Sequence, residues 1–83
     1  MPNLFFEENM KIKVKLFATL RENRGKIVDL DVEHQVNVLH IMNILEIKKE
    51  DIAILLVNGL DATLDTILSE NDTLSVFPPI GGG

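Results

Sequence analysis

In the stretch 11–17 polar and apolar side chains alternate as far as Leu16, with Lys11, Lys13 and Lys15 to one side and Ile12, Val14 and Leu16 to the other. A period of two belongs to an extended chain with one wet face and one dry one, so this stretch is a half-buried strand. Residues 27–32 repeat the pattern, with Val28, Leu30 and Val32 apolar and Asp29 and Asp31 polar. The connection between them, residues 18–26, carries Arg21, Asn23 and Arg24 and closes on the turn residue Gly25. Two alternating segments joined this way make an antiparallel hairpin. Its outer face sets lysines across from aspartates, each cross-strand pair contributing about 0.2–1 kcal/mol.

The rest of the chain supplies a cover for that dry face and further strands. Asn37 is placed to cap a helix in which Val38, Ile41, Met42 and Leu45 fall on one stripe, with His40, Asn43 and Glu46 opposite. Lys48 and Lys49 are expected near its C-terminal end, where cations suit the negative pole of the helix dipole. Leu39, Ile44 and Ile47 widen the apolar surface and call for cover by a loop or by the N-terminal extension. Residues 52–57 are apolar throughout, which suits a central strand, and Asn58-Gly59 stops them with a strong hairpin signal. A short return over residues 60–64 follows, then a single helical turn holding Ile67 and Leu68. Residues 73–77 form the last strand with Leu74 and Val76 inward. The order strand, strand, helix, strand, short strand, strand gives an α+β domain.

Size limits what such a domain does. At 83 residues it buries only about 60–65% of its unfolded surface, so there is one small core and no space for a deep internal active site. Cysteine is absent, which removes disulfides, thiolate metal sites and a cysteine nucleophile. A net charge of −5 disfavours nucleic acid as a partner. No apolar run is long enough to span a membrane, and the start Met1-Pro2-Asn3-Leu4-Phe5-Phe6-Glu7-Glu8-Asn9 lacks the features of a signal peptide. The expectation is a cytoplasmic protein with no membrane contact. His34 and His40 have no second ligand at metal-binding spacing, and Glu7-Glu8 and Glu50-Asp51 read as solvated charge. Nothing here builds an autonomous catalytic site, and no metal or bound cofactor is expected.

What remains is the ending, Phe77-Pro78-Pro79-Ile80-Gly81-Gly82-Gly83. Two prolines fix φ and remove two donors, so the segment leaving the last strand is stiff and cannot pair further. Three glycines cost the most entropy to order and offer no side chains to pack. Such a tail is expected to be mobile when free, and its chemistry is the carboxylate of Gly83 on a thread with no Cβ atoms.

Those tail residues, with Leu56-Val57-Asn58-Gly59, Asn71-Asp72-Thr73 and the opening Lys13-Val14-Lys15-Leu16-Phe17-Ala18, make the chain resemble the ubiquitin-like sulfur-carrier family. That family includes the molybdopterin synthase small subunit and the thiamine-pathway sulfur carrier. The Phe-Pro-Pro lead-in is similar to the molybdopterin branch, whereas a triple-glycine ending is also found on the thiamine side. The resemblance implies a β-grasp fold in which first and last strands are parallel neighbours. It divides the chain into an N-terminal extension over residues 1–9, a β-grasp domain over 10–80 and a flexible glycine tail over 81–83. It also implies that an E1-like adenylating enzyme uses ATP to activate the Gly83 carboxylate, which becomes a thiocarboxylate. In the molybdopterin branch this thiocarboxylate gives sulfur to a pterin precursor inside a larger catalytic subunit. Sulfur supply for thiazole assembly, attachment to lysine amines as a protein modifier, and a plain interaction module are the alternatives.

Ordering three or four tail residues in a partner's channel costs about 1–2 kcal/mol each, so a second surface must supply affinity. Parity identifies candidates. With Leu16 and Val76 inward, Phe17 and Phe77 both face outward, and neighbouring first and last strands would join them in one exposed patch beside the tail. Leu56 is the expected apolar contribution from the central run, and Pro78, Pro79 and Ile80 complete the partner-binding set.

Overall fold

In the computed structural model, residues 9–80 are described. The first strand β1 (Met10–Leu16) and β2 (Ile27–Val32) pair antiparallel, with Lys11 opposite Asp31 and Lys13 opposite Asp29, as the alternation requires. Helix α1 (Val38–Leu45) follows, then β3 (Ile54–Val57), β4 (Leu60–Asp61) and β5 (Thr73–Phe77). The five strands lie in the order β2-β1-β5-β3-β4, with β5 parallel to β1 and antiparallel to β3. The mixed sheet with one helix across it is the ubiquitin-like β-grasp. The strand made last is therefore paired on both sides, where burial of its inner face is greatest.

Ile12, Val14, Leu16, Leu74 and Val76 on the sheet, and Val38, Ile41 and Met42 on the helix, are each no more than 1% exposed. The helix begins where Asn37 accepts from the His40 amide at 2.9 Å. Its end differs from the expectation. The chain enters the left-handed region at Glu46 (φ 60°), and the Glu46 and Ile47 amides close the last turn on Asn43 and Met42. Lys48 and Lys49 lie beyond the helix, Lys49 in a short 3-10 turn (Lys49–Asp51). The last carbonyls are met instead by Arg24. Its Nε donates to Leu45 O (3.0 Å), Nη2 to Glu46 O (3.1 Å) and Nη1 to Leu20 O (3.1 Å).

Other departures have equally local causes. The connection 18–26 contains a 3-10 turn (Ala18–Arg21) that buries Leu20. Ile52, which caps the second 3-10 turn, and Ala53 take up the beginning of the long apolar run, so β3 starts only at Ile54. The return strand is two residues long, not five. Ile67 and Leu68 form no helical turn: Ile67 bridges Asn37 antiparallel, and Leu68 donates its amide to Val36 O at 3.0 Å while burying its side chain. Ile47 is buried, whereas Leu39 and Ile44 remain partly exposed on the helix. Residues 1–8 of the N-terminal extension, weighed above as a cover for that surface, lie outside the described residues.

At Asn58-Gly59 both φ angles are positive, 53° and 84°, which is the backbone a tight hairpin turn needs. The Asn58 side chain also donates to Asp72 Oδ1 (2.8 Å) and accepts from the Thr73 amide (2.9 Å). The β3–β4 turn is thereby fastened to the first residue of β5. Among the described residues no helix is long and apolar enough to cross a membrane.

Candidate functional site at the exit of the central strand

Phe77 is the last residue of β5 and stands opposite Ile54 of β3, with its carbonyl accepting from the Ala53 amide at 2.7 Å. Pro78 and Pro79 have no amide hydrogen to extend that ladder. Exposure rises along the segment, from half-buried Pro78 through exposed Pro79 to Ile80, which is 95% exposed. The chain thus leaves the scaffold at the end of its best-held strand. Gly81, Gly82 and Gly83, including the carboxylate expected to react, lie outside the described residues.

Alternation carries Phe17 and Phe77 to the outer face. Their rings stack with centroids 4.1 Å apart and planes 11° from parallel. Each is half-buried, because each covers the other. Ala18 turns the chain sharply after Phe17 in a left-handed conformation (φ 55°), and the following 3-10 turn brings back Arg21. The Arg21 Nε donates to Leu16 O at 2.9 Å, and its Cζ sits 5.5 Å from the Phe17 ring centroid.

Leu56 is half-buried on the same face, opposite Ser75. Ile54 is 50% exposed and in register with Phe77, so it stands nearer the exit than Leu56 does. Sequence reasoning missed it, although an outward Leu56 requires Ile54, two residues earlier, to face outward too. Ile27, 52% exposed opposite Lys15, is a second omission. The apolar patch is therefore broader than the one expected and follows the end of the sheet across three strands besides the tail.

Electrostatics on this face are uneven. Lys11 bridges Asp31 at 3.1 Å and Lys13 faces Asp29, but Lys15 has Ile27 on one side and Ser75 on the other. A cation without an opposing carboxylate thus borders the patch. Beside the prolines a polar cleft is lined by Thr19, Glu22, Arg24 and Asp51. His34 and His40 are exposed. Among the described residues no polar or charged side chain is buried, and no three histidine or carboxylate side chains gather as metal ligands. The arrangement lends itself to holding a thread outward and docking beside it.

Comparison with known proteins fits this geometry. The ThiS family model matches residues 14–83, from within β1 through Gly83. No curated protein matches the chain. Among solved structures it is similar to small archaeal modifier protein 1 of Haloferax volcanii, at 26% identity over 86% of this chain and 99% of that one, with a TM-score of 0.74. The HVO 2177 protein of the same organism is 25% identical over 99% of this chain and 94% of its own, with a TM-score of 0.78. A complex of subunits 1 and 2 of the molybdopterin-converting factor from Helicobacter pylori includes a chain 20% identical over 89% of this one and 100% of that one (TM-score 0.60), a likeness of fold alone.

Proposed function

The chain belongs to the ThiS family of ubiquitin-like sulfur carriers, and from that premise we propose that it is a co-substrate whose reacting group is the carboxylate of Gly83. An adenylating enzyme of the ubiquitin-activating kind joins that carboxylate to the AMP of ATP and releases pyrophosphate. Sulfide then attacks the acyl carbon, the bond to the phosphate oxygen breaks, AMP departs, and a thiocarboxylate remains. A larger catalytic subunit binds the charged carrier and passes its sulfur to a pterin precursor in molybdenum cofactor assembly. ATP belongs to the activating enzyme; the carrier itself holds no cofactor. The reaction is placed in the cytoplasm.

Each segment has a part. Gly81 and Gly82 offer no side chains to obstruct a channel, and Pro78 and Pro79 cannot extend the β5 ladder. Phe17, Ile54, Leu56, Phe77 and Ile80 supply apolar area that offsets the entropy of ordering the thread. The observation that carries the reading is the exit itself: a strand paired on both sides, ending at a stacked aromatic pair, followed by two prolines and a residue 95% exposed. The molybdopterin branch is favoured over the thiamine branch by Phe77-Pro78-Pro79. The Helicobacter pylori complex shows the same fold in a molybdopterin-converting factor of two subunits.

A second reading, attachment to lysine amines of other proteins, is favoured by the 26% likeness to small archaeal modifier protein 1. Reconstitution separates them. With its cognate large subunit and a pterin precursor, the charged carrier is expected to yield a dithiolene product, and the same chain extended by one residue after Gly83 is expected to yield none. Isopeptide adducts in extract, with no pterin product, would transfer the assignment to the modifier.

A further inference from the structure

We infer that Arg21 is a positioning residue for the tail, and that by holding Phe17 flat against Phe77 it fixes the direction in which Pro78 and Pro79 leave the sheet. This rests on the proposed role of the tail. The β1–β5 register ends at Leu16 beside Val76. One residue further, Phe77 is still held on the β3 side, by its pairing with Ile54 and by the Ala53 amide on its carbonyl. On the β1 side the link is the ring contact with Phe17, 4.1 Å between centroids. The orientation of the peptide that hands the chain to Pro78 therefore depends on that stack.

Arg21 bears on the Phe17 ring of that stack. Its guanidinium is tethered by the 2.9 Å bond from Nε to Leu16 O, the carbonyl next to Phe17, and lies 5.5 Å from the Phe17 ring, within the range of a cation–π contact. Phe17 thus touches both the guanidinium and Phe77, and Phe77 leads directly into Pro78. The turn that delivers Arg21 places Ala18 at φ 55°, a conformation unfavourable for alanine. Local strain kept in the turn that aims one side chain at a functional exit is consistent with a positioning role.

The test uses the full chain with Arg21→Met, which keeps the stem and removes both the charge and the directed donor, and Arg21→Lys, which keeps the charge. Thiocarboxylation of Gly83 is followed by intact mass with the cognate activating enzyme, ATP and sulfide over a range of carrier concentrations. Ring proton shifts of Phe17 and Phe77 and the orientation of the Ile80 amide are read by NMR on the same samples. For Arg21→Met we expect kcat to fall about tenfold with KM changed by less than about twofold, because a misdirected thread reacts poorly once bound. Ring shifts and the Ile80 amide should move together, and Arg21→Lys should recover most of the rate.

A salt-dependent rise in KM with unchanged kcat would instead make Arg21 a direct contact of the partner and overturn the inference. Unmoved ring shifts, or an unaltered rate despite moved ones, would overturn it equally. If Arg21→Met does not fold, Arg21→Lys decides by the same split, with a smaller fall in kcat expected and an unchanged kcat contradicting the role. If the wild-type chain takes up no sulfur, the carrier reading fails, and the NMR measurements still decide whether Arg21 directs the exit.

Discussion

Replacing Arg24 by methionine removes a cation from a protein of net charge −5, yet it should be among the more damaging surface changes. Arg24 gives three hydrogen bonds, to Leu45 O, Leu20 O and Glu46 O, and the first two are partly buried. Hydrogen bonds involving a charged group contribute about 1.5–3 kcal/mol net, so two at the low end, with the exposed third discounted, amount to about 3 kcal/mol. An 83-residue domain has only about 4–12 kcal/mol in total at ordinary stability per residue. Methionine retains the apolar stem, so lost packing contributes little.

Urea denaturation should show a midpoint lower by roughly 2–3 M, with the slope unchanged, taking about 1 kcal/mol per molar for a small domain. Lys11→Met is the control. Lys11 also makes a short ion pair, but with Asp31 and with side chains 74% and 60% exposed, and such pairs contribute about 0–1 kcal/mol. A double change of Lys48 and Lys49 to methionine should likewise cost little, since both residues lie beyond the helix. Equal losses for Arg24→Met and Lys11→Met, or a larger loss from the Lys48 and Lys49 pair, would refute the assignment of Arg24 as the helix cap.

Asn58→Ala should lose about 2 kcal/mol by chemical denaturation, through two side-chain hydrogen bonds and the cost of a left-handed alanine. Asn58→Gly also loses the bonds but keeps the turn unstrained and should lose less; equal losses would mean the left-handed angle costs alanine nothing. Ile54→Glu should leave the unfolding midpoint nearly unchanged, because the side chain is already half exposed. The same change should weaken binding to the large catalytic subunit by about tenfold or more by calorimetry, as expected for an apolar contact at a patch centre. Unchanged affinity would remove Ile54 from the docking surface.

Features set by neighbours in the sequence were legible, and those set by distant partners were not. Alternation in residues 11–17 and 27–32 fixes the lysine-to-aspartate register, Asn37 marks the helix start, and Asn58-Gly59 marks the tight turn. The helix end was hidden because Ile44, Leu45 and Ile47 carry the apolar pattern past it and Glu46, rather than a glycine, takes the left-handed angle. Its true cap comes from Arg24, more than twenty positions away. Ile67 and Leu68 were misread for the same reason, since their pairing is with Asn37 and Val36. Periodicity says nothing about strand order either; the placing of β5 beside β1 followed from family resemblance. At the site, parity located Phe17 and Phe77 on one face; the all-apolar β3 has no internal phase of its own, and Ile54 was passed over although an outward Leu56 sets that phase. The contact of Arg21 with Phe17 needed coordinates, because a polar loop residue gives no sign of the ring it lies over.

The central claim is that Gly83 is the reagent and that another protein performs the chemistry. It is tested most directly by incubating the full chain with its cognate activating enzyme, ATP and sulfide and fragmenting the intact product in a mass spectrometer. The account predicts one oxygen replaced by sulfur, located at Gly83, only when enzyme and ATP are both present. Sulfur absent under those conditions, or found anywhere but at Gly83, would contradict it.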